Sequence, residues 1–265
     1  MEVTSGKALL AAQEHGSGSP DVLLVHAGVT DQRSWQHVVD VLPDHRCLTY
    51  DQRGYGSTTY QPEDGWSKVD DAVAVLDAYN VESAVVVGCS MGGRVSLHLA
   101  LTHPERVRGL ALIAPAISGG PGHVYEPEVQ ALSDAQDAAW ERGDLDEVNR
   151  IDARVWLDGP LAPEGRVGGA ARELFFDMNR IALEAEETGE ERDDVNAWDR
   201  LGEISVPTLL IVGDLDLQYL KDYVARAAAA IPDARLVELP GVAHLPHLEG
   251  DRRTLTEIAA FVSGQ

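Results

Sequence analysis

The feature that most restricts this chain is a series of short runs, most of them apolar throughout rather than at every second residue. The best are VLLVHA (22–27), CLTYD (47–51), AVVVGC (84–89), GLALIA (109–114) and TLLIVGD (208–214), and RLVEL (235–239) follows. A half-exposed strand alternates apolar and polar residues; a run that does not alternate fits a strand covered on both faces. Between the runs the period changes to that of a helix. Val69, Val73 and Leu76 share one stripe, Leu217, Leu220, Val224, Ala227 and Ile231 another, and Leu255, Ile258, Ala259 and Val262 a third. Such stripes are core-facing. Strand and helix in repeated alternation predict an α/β fold, a mostly parallel, doubly wound open sheet. KALLAAQEHG, before the turn marked by Gly16, Gly18 and Pro20, is expected to add an earlier antiparallel edge strand.

One interval breaks the alternation. From about Ser118 to Gly202 no convincing strand is found, only helical patterns. Val129, Leu132 and Ala139 form one; Leu145, Val148, Ile151 and Val155 a second; Leu174, Phe175, Met178 and Ile181 a third. Asp144 and Glu147 have the spacing of an N-cap and its reciprocal partner. The chain is therefore expected to comprise a sheet core over residues 1–117 and 203–265, with a helical cap, 118–202, inserted between two strands. The acidic stretch EAEETGEERDD (184–194) is expected to be a solvated helix end or loop.

The formal net charge is −23, and 44% of residues are hydrophobic. The core can be large, whereas nucleic acid and anionic membrane surfaces should be repelled. Neither cysteine, Cys47 or Cys89, has a disulfide or metal-site setting. With no basic start before a long apolar run, and no run of membrane-spanning length, the default expectation is a soluble cytoplasmic protein. Its partner is expected to be a small, mainly apolar molecule rather than a nucleic acid or a membrane. Oligomeric state is not legible.

Residues 88–93 read GCSMGG. Gly-x-Ser-x-Gly alone is a weak pattern, but here an apolar strand runs into it and a helical segment follows, the setting of a nucleophile elbow. Cys89 and Ser90 are both candidate nucleophiles; the strained turn would lift Ser90 out of the sheet top and leave Cys89 in the packing. Serine needs a base, and the base an orienting acid. His244, just after RLVEL, would lie at the carboxyl end of the sheet, with His247 its competitor. GDLD (213–216), just after TLLIV, offers Asp214, close to the strand, and Asp216, further into the loop. His26, at the end of a strand, is expected to brace a loop.

These landmarks, taken in order, resemble the α/β-hydrolase family over nearly the whole chain. HAGVTDQRSW (26–35) is similar to its oxyanion loop, YDQRGYGST (50–58) to its Asp-x-Arg-Gly-x-Gly-x-Ser segment, GCSMGG to its elbow, GDLD to its acid loop and GVAHLPHLE (241–249) to its histidine loop. The resemblance implies Ser90 as nucleophile, Asp216 as acid and His244 as base, with oxyanion donors on the backbone of Gly28 and Met91. Ala27 stands where the family usually has glycine, which leaves Val29 as an alternative to Gly28. Asp51, Arg53 and Thr58 would be structural. The insertion matches the family's cap, whose Trp140, Trp156, Phe175 and Met178 are expected to line an apolar pocket. The activity implied is cofactor-independent hydrolysis of a small or medium carboxylic ester or lactone. Carbon–carbon bond hydrolases and enol-lactonases of aromatic breakdown share this elbow, and a slow-turnover ligand receptor of the same fold is the non-enzymatic alternative. An aspartate in place of Ser90 would be needed for dehalogenase or epoxide hydrolase chemistry.

Overall fold

The computed structural model describes residues 1–192 and 194–265. Nine strands form a single sheet: β1 (Glu2–Ser5), β2 (Ala8–His15), β3 (Val22–Val25), β4 (Cys47–Tyr50), β5 (Thr59–Tyr60), β6 (Ala84–Cys89), β7 (Val107–Ile113), β8 (Thr208–Gly213) and β9 (Ala234–Leu239). Their order is β1-β2-β4-β3-β6-β7-β8-β9, with β5 paired to β2. From β4 to β9 neighbouring strands are parallel; β2 runs antiparallel to β1, β4 and β5. The segment KALLAAQEHG therefore forms a strand as expected, but β1 lies outside it, so β2 is not the edge. Its alternating exposure, with Ala8, Leu10 and Ala12 buried, is what an outer antiparallel strand requires.

The helices are α1 (Gln36–Asp40), α2 (Lys68–Ala78), α3 (Met91–Thr102), α4 (Pro127–Glu141), α5 (Leu145–Asp152), α6 (Gly169–Leu183), α7 (Ala197–Arg200), α8 (Gln218–Ala230), α9 (Pro246–Glu249) and α10 (Arg252–Ser263). They cover both faces. On one, Leu23, Val86, Leu110 and Leu210 pack with Leu76 of α2, Leu97 of α3 and Val224 of α8. On the other, Leu24, Val87, Ala111 and Ile211 pack with Val38 of α1 and with Ile258 and Val262 of α10. Successive residues of one strand thus enter different cores, which is why these strands are apolar at every position. Each fully buried side chain of this size contributes ~1.5–3 kcal/mol.

Between β7 and β8 the described residues contain helices α4 to α7 and no named strand. Asp144 accepts the Glu147 N–H at 3.2 Å, as an N-cap should. The reciprocal half does not form: Glu147 is held by Arg150, and the Asp144 N–H is already spent on Ala139 O. After α5 the chain continues as one π-helical stretch, Ala153–Asp158. Helix α6 ends at Leu183, ahead of the acidic stretch, of which residue 193 lies outside the described residues. That stretch is tied down as well as solvated: Glu191 pairs with Lys68 and Arg94, and the Glu186 carbonyl accepts the Tyr60 hydroxyl. Among the described residues no helix is long and apolar enough to cross a membrane.

Candidate active site

Strand β6 delivers the chain to Ser90 at the centre of the sheet, and α3 begins at Met91. Ser90 has φ 53° and ψ −113°, a left-handed conformation that costs a non-glycine residue ~1–3 kcal/mol. Backbone hydrogen bonds hold it there. Its N–H donates to Ile113 O at 2.9 Å, and its carbonyl accepts from Arg94 and Ala116, each at 3.0 Å. Gly92 makes the turn possible by close approach: a Cβ there would stand 2.0 Å from Val25 O and 2.6 Å from His26 O. The first turn of α3 is thereby seated against the end of β3. Cys89 is fully buried and donates its thiol to His244 O at 3.5 Å. Burial, and then the Asp216 charge, push that thiol well above its ordinary pKa, so it supplies no thiolate.

The residues expected as acid and base, Asp216 and His244, follow β8 and β9. His244 Nδ1 lies 2.8 Å from Asp216 Oδ2, with the imidazole and the carboxyl group both buried. The other carboxylate oxygen accepts the Leu217 N–H at 2.8 Å, which fixes its plane. With Nδ1–H donated to Asp216, His244 Nε2 is the accepting nitrogen, and it has no hydrogen-bond partner among the described residues. Asp214 does a different job. Its Oδ1 accepts the Gly241 N–H at 2.7 Å and so ties the two loops together from the exposed side. His247, the other histidine of this loop, is fully buried and stacked on Trp35 at 4.3 Å. Burial, and then the neighbouring His244 and His37, push it down to about 3, so it stays neutral.

The loop after β3 completes the site. A Cβ on Gly28 would lie 3.7 Å from Met91 Sδ and 3.8 Å from Met91 Cβ, so Gly28 and Met91 are neighbours across the elbow. Val29 is half-buried, with its side chain packed on the hydrophobic cluster. His26 braces this loop: Nε2 accepts the Gln52 N–H at 3.0 Å and Nδ1 donates to Ala27 O at 2.8 Å. Asp51 accepts from the backbone of Gln32 and Ser57, while Arg53 forks onto Asp71 and also reaches Glu63. Thr58 bridges Asp51 O and the Ala11 N–H. These residues are scaffolding beneath the site.

Three of the four expected pocket residues lie among buried or half-buried groups. Trp156, on the π-helical stretch, sets its ring 4.8 Å from that of His244 at 49°. Phe175 and Met178 are fully buried in the same cluster, and Met178 Sδ accepts the Asp31 N–H at 3.4 Å, beside the Gly28 loop. Trp140 is the correction. It is 55% exposed and joins none of the hydrophobic clusters. Its neighbour Ala139 is the residue α4 buries there, and ~100° of helix rotation turns Trp140 away. Tyr55, not singled out from the sequence, reaches Met91 Sδ with its hydroxyl at 3.9 Å and stands edge-on to His26. Only its place in the loop DQRGYG could have suggested it.

A nine-stranded, mostly parallel sheet with a serine elbow after a central strand, and an Asp–His pair in the loops after two later strands, is the architecture of an α/β enzyme. Comparison with known proteins agrees. The family model described as alpha/beta hydrolase fold matches residues 20–251. The chain is 27% identical over 265 residues to a putative 2-succinyl-6-hydroxy-2,4-cyclohexadiene-1-carboxylate synthase of Bacillus subtilis, covering 95% of this chain and 93% of that protein. It is 28% identical over 246 residues to a pimeloyl-(acyl-carrier protein) methyl ester esterase of Yersinia enterocolitica, covering 87% and 88%. A solved hydrolase from Pseudomonas aeruginosa superposes with a TM-score of 0.77 at 26% identity, over 98% of this chain and 96% of that one. The chain belongs to the α/β-hydrolase fold family and is an enzyme of the hydrolase class.

Proposed function

We propose that this enzyme is a serine hydrolase that cleaves a small or medium carboxylic ester or lactone through an acyl-enzyme at Ser90. The observation that carries the reading is the buried Asp216–His244 pair, whose remaining ring nitrogen has no partner among the described residues and lies in the same loop cluster as a serine held at φ 53°. Ser90 Oγ adds to the ester carbonyl carbon while His244 Nε2 takes its proton. The carbonyl oxygen becomes an oxyanion, held by the N–H groups of Gly28 and Met91, each donor worth ~3 kcal/mol in the transition state. As the alkoxide leaves, His244 returns the proton to it. Water, deprotonated by the same nitrogen, then releases the acid and restores Ser90. Asp216 keeps His244 in the accepting tautomer and stabilises the imidazolium.

On this reading residues 118–202 are a lid, and Trp156, Phe175 and Met178 give the acyl or alcohol group an apolar wall. The lining favours an uncharged substrate, and the strong negative charge of the chain disfavours an anionic one. The test is Ser90→Ala. Its kcat on a short aryl ester should fall by at least ~10³-fold with folding intact; equal turnover by variant and wild type refutes the mechanism. Turnover confined to vinylogous diketones or enol lactones would keep Ser90 and change the bond it breaks.

A further inference from the structure

Arg166 has no part in the chemistry above, yet every donor it owns is used. Nε donates to Asp158 O at 2.7 Å, and Nη2 to Leu157 O at 2.7 Å and Glu249 Oε1 at 2.6 Å. Nη1 donates to Glu249 Oε2 at 2.8 Å and Gly241 O at 3.2 Å. A guanidinium has five N–H groups, and here each has a partner. The partners belong to two segments. Leu157 and Asp158 close the π-helical stretch that carries Trp156. Gly241 and Glu249 flank His244 on either side in sequence.

The segment that presents Arg166 is itself fixed. The fully buried Asp158 carboxylate accepts the N–H groups of Gly165 and Val167, at 2.8 and 3.0 Å, and pairs with Arg172. Gly159, at φ 95°, lies so close to the acid loop that a Cβ there would stand 2.7 Å from Leu215 O. One strap, residues 157–167, therefore touches the loop of Asp216 and the loop of His244 together.

Building on the catalytic reading, we propose that Arg166 is a positioning residue for the base: it locks the His244 loop to the π-helical turn of the lid, so that Trp156 and the imidazole keep one relative geometry. The Arg166–Glu249 pair suits this task. Its side chains are only 19% and 9% exposed, and the contact is bidentate, which fixes direction as well as distance. A lysine could offer one charge and three donors but not the fork.

The full-length wild type, Arg166→Lys, Arg166→Gln and Glu249→Gln are compared by steady-state hydrolysis of p-nitrophenyl butyrate and by amide hydrogen exchange. In Arg166→Lys kcat should fall about 10-fold while KM stays within about 2-fold, because small misplacements of a reacting group cost rate rather than binding. Amides in 241–249 and 153–158 should exchange faster, with the central strands unchanged. Glu249→Gln should reproduce the pattern, and it carries the test with the lysine variant should Arg166→Gln not fold. A folded Arg166→Lys with wild-type kcat, or faster exchange spread evenly over the chain, overturns the proposal. The two readings fail separately. An active Ser90→Ala with local exchange effects in the Arg166 variants refutes the nucleophile and supports the clamp. An inactive Ser90→Ala with an unaltered Arg166→Lys refutes the clamp alone.

Discussion

Replacing His247 by phenylalanine separates the two histidines of one loop by their physics. His247 is fully buried, both its ring nitrogens lack a partner among the described residues, and it stacks on Trp35. Its pKa is pushed from the ordinary 6.5 down to about 3, by burial first and then by His244 and His37. The sign follows from proton counting. Between these two values the unfolded chain binds a proton that the native state refuses, so stability falls as pH falls from 6.5 towards 3. Integrating over that window, this one group removes ~2 kcal/mol of stability between about pH 7.5 and pH 5. Phenylalanine keeps a ring on Trp35 and cannot take up the proton. Any packing cost of its larger ring is the same at both pH values and cancels from the comparison. Urea unfolding of wild type and His247→Phe at the two pH values should therefore show the variant losing ~2 kcal/mol less than wild type. Ester hydrolysis at pH 7.5 should stay within a few-fold of wild type. Equal pH losses in the two proteins would refute the argument from burial. Loss of activity comparable to Ser90→Ala would refute the assignment of the base to His244.

Two further expectations rest on the elbow. Gly92→Ala places a Cβ 2.0 Å from Val25 O, a backbone atom that cannot turn aside, so α3 must move off β3. A loss of several kcal/mol in denaturant unfolding is expected, on the order of other overpacking substitutions at unyielding sites, together with loss of turnover. Wild-type stability in that variant would mean that α3 is not seated as described. Cys89 is fully buried, with its thiol held protonated by burial and by the Asp216 charge. A disulfide-exchange reagent should leave it unmodified and the enzyme active under native conditions, and should react once urea unfolds the chain. Rapid native labelling of Cys89 with inactivation would return it to the place given to Ser90.

The chain itself carries much of the catalytic proposal. Ser90 could be singled out because a strand, a glycine-rich turn and a helix are contiguous and each has its own periodicity. Asp216 and His244 could be placed because a loop that follows a parallel strand must emerge at the sheet's carboxyl end. Position in the loop already favoured Asp216 over Asp214 and His244 over His247, and the family resemblance then selected the same two residues. In the structure Asp214 accepts the Gly241 N–H and His247 is sealed against Trp35, and both contacts support the proposal.

Other features have no local signature. Trp140 and Trp156 both lie in helical stretches of the insertion, and periodicity did not decide which would face His244. That depended on how α4 and the π-helical stretch pack. Likewise KALLAAQEHG could be expected to form an antiparallel strand, but β1 could be placed outside it only when the sheet assembled. Arg166 and Glu249 are 83 residues apart, and an ion pair across that distance leaves no spacing for the eye to find. Alternation and contiguity act within a few residues and are written in the sequence. The closing of one loop upon another is decided by long-range packing, and only the tertiary structure joins Arg166 to the loop of His244.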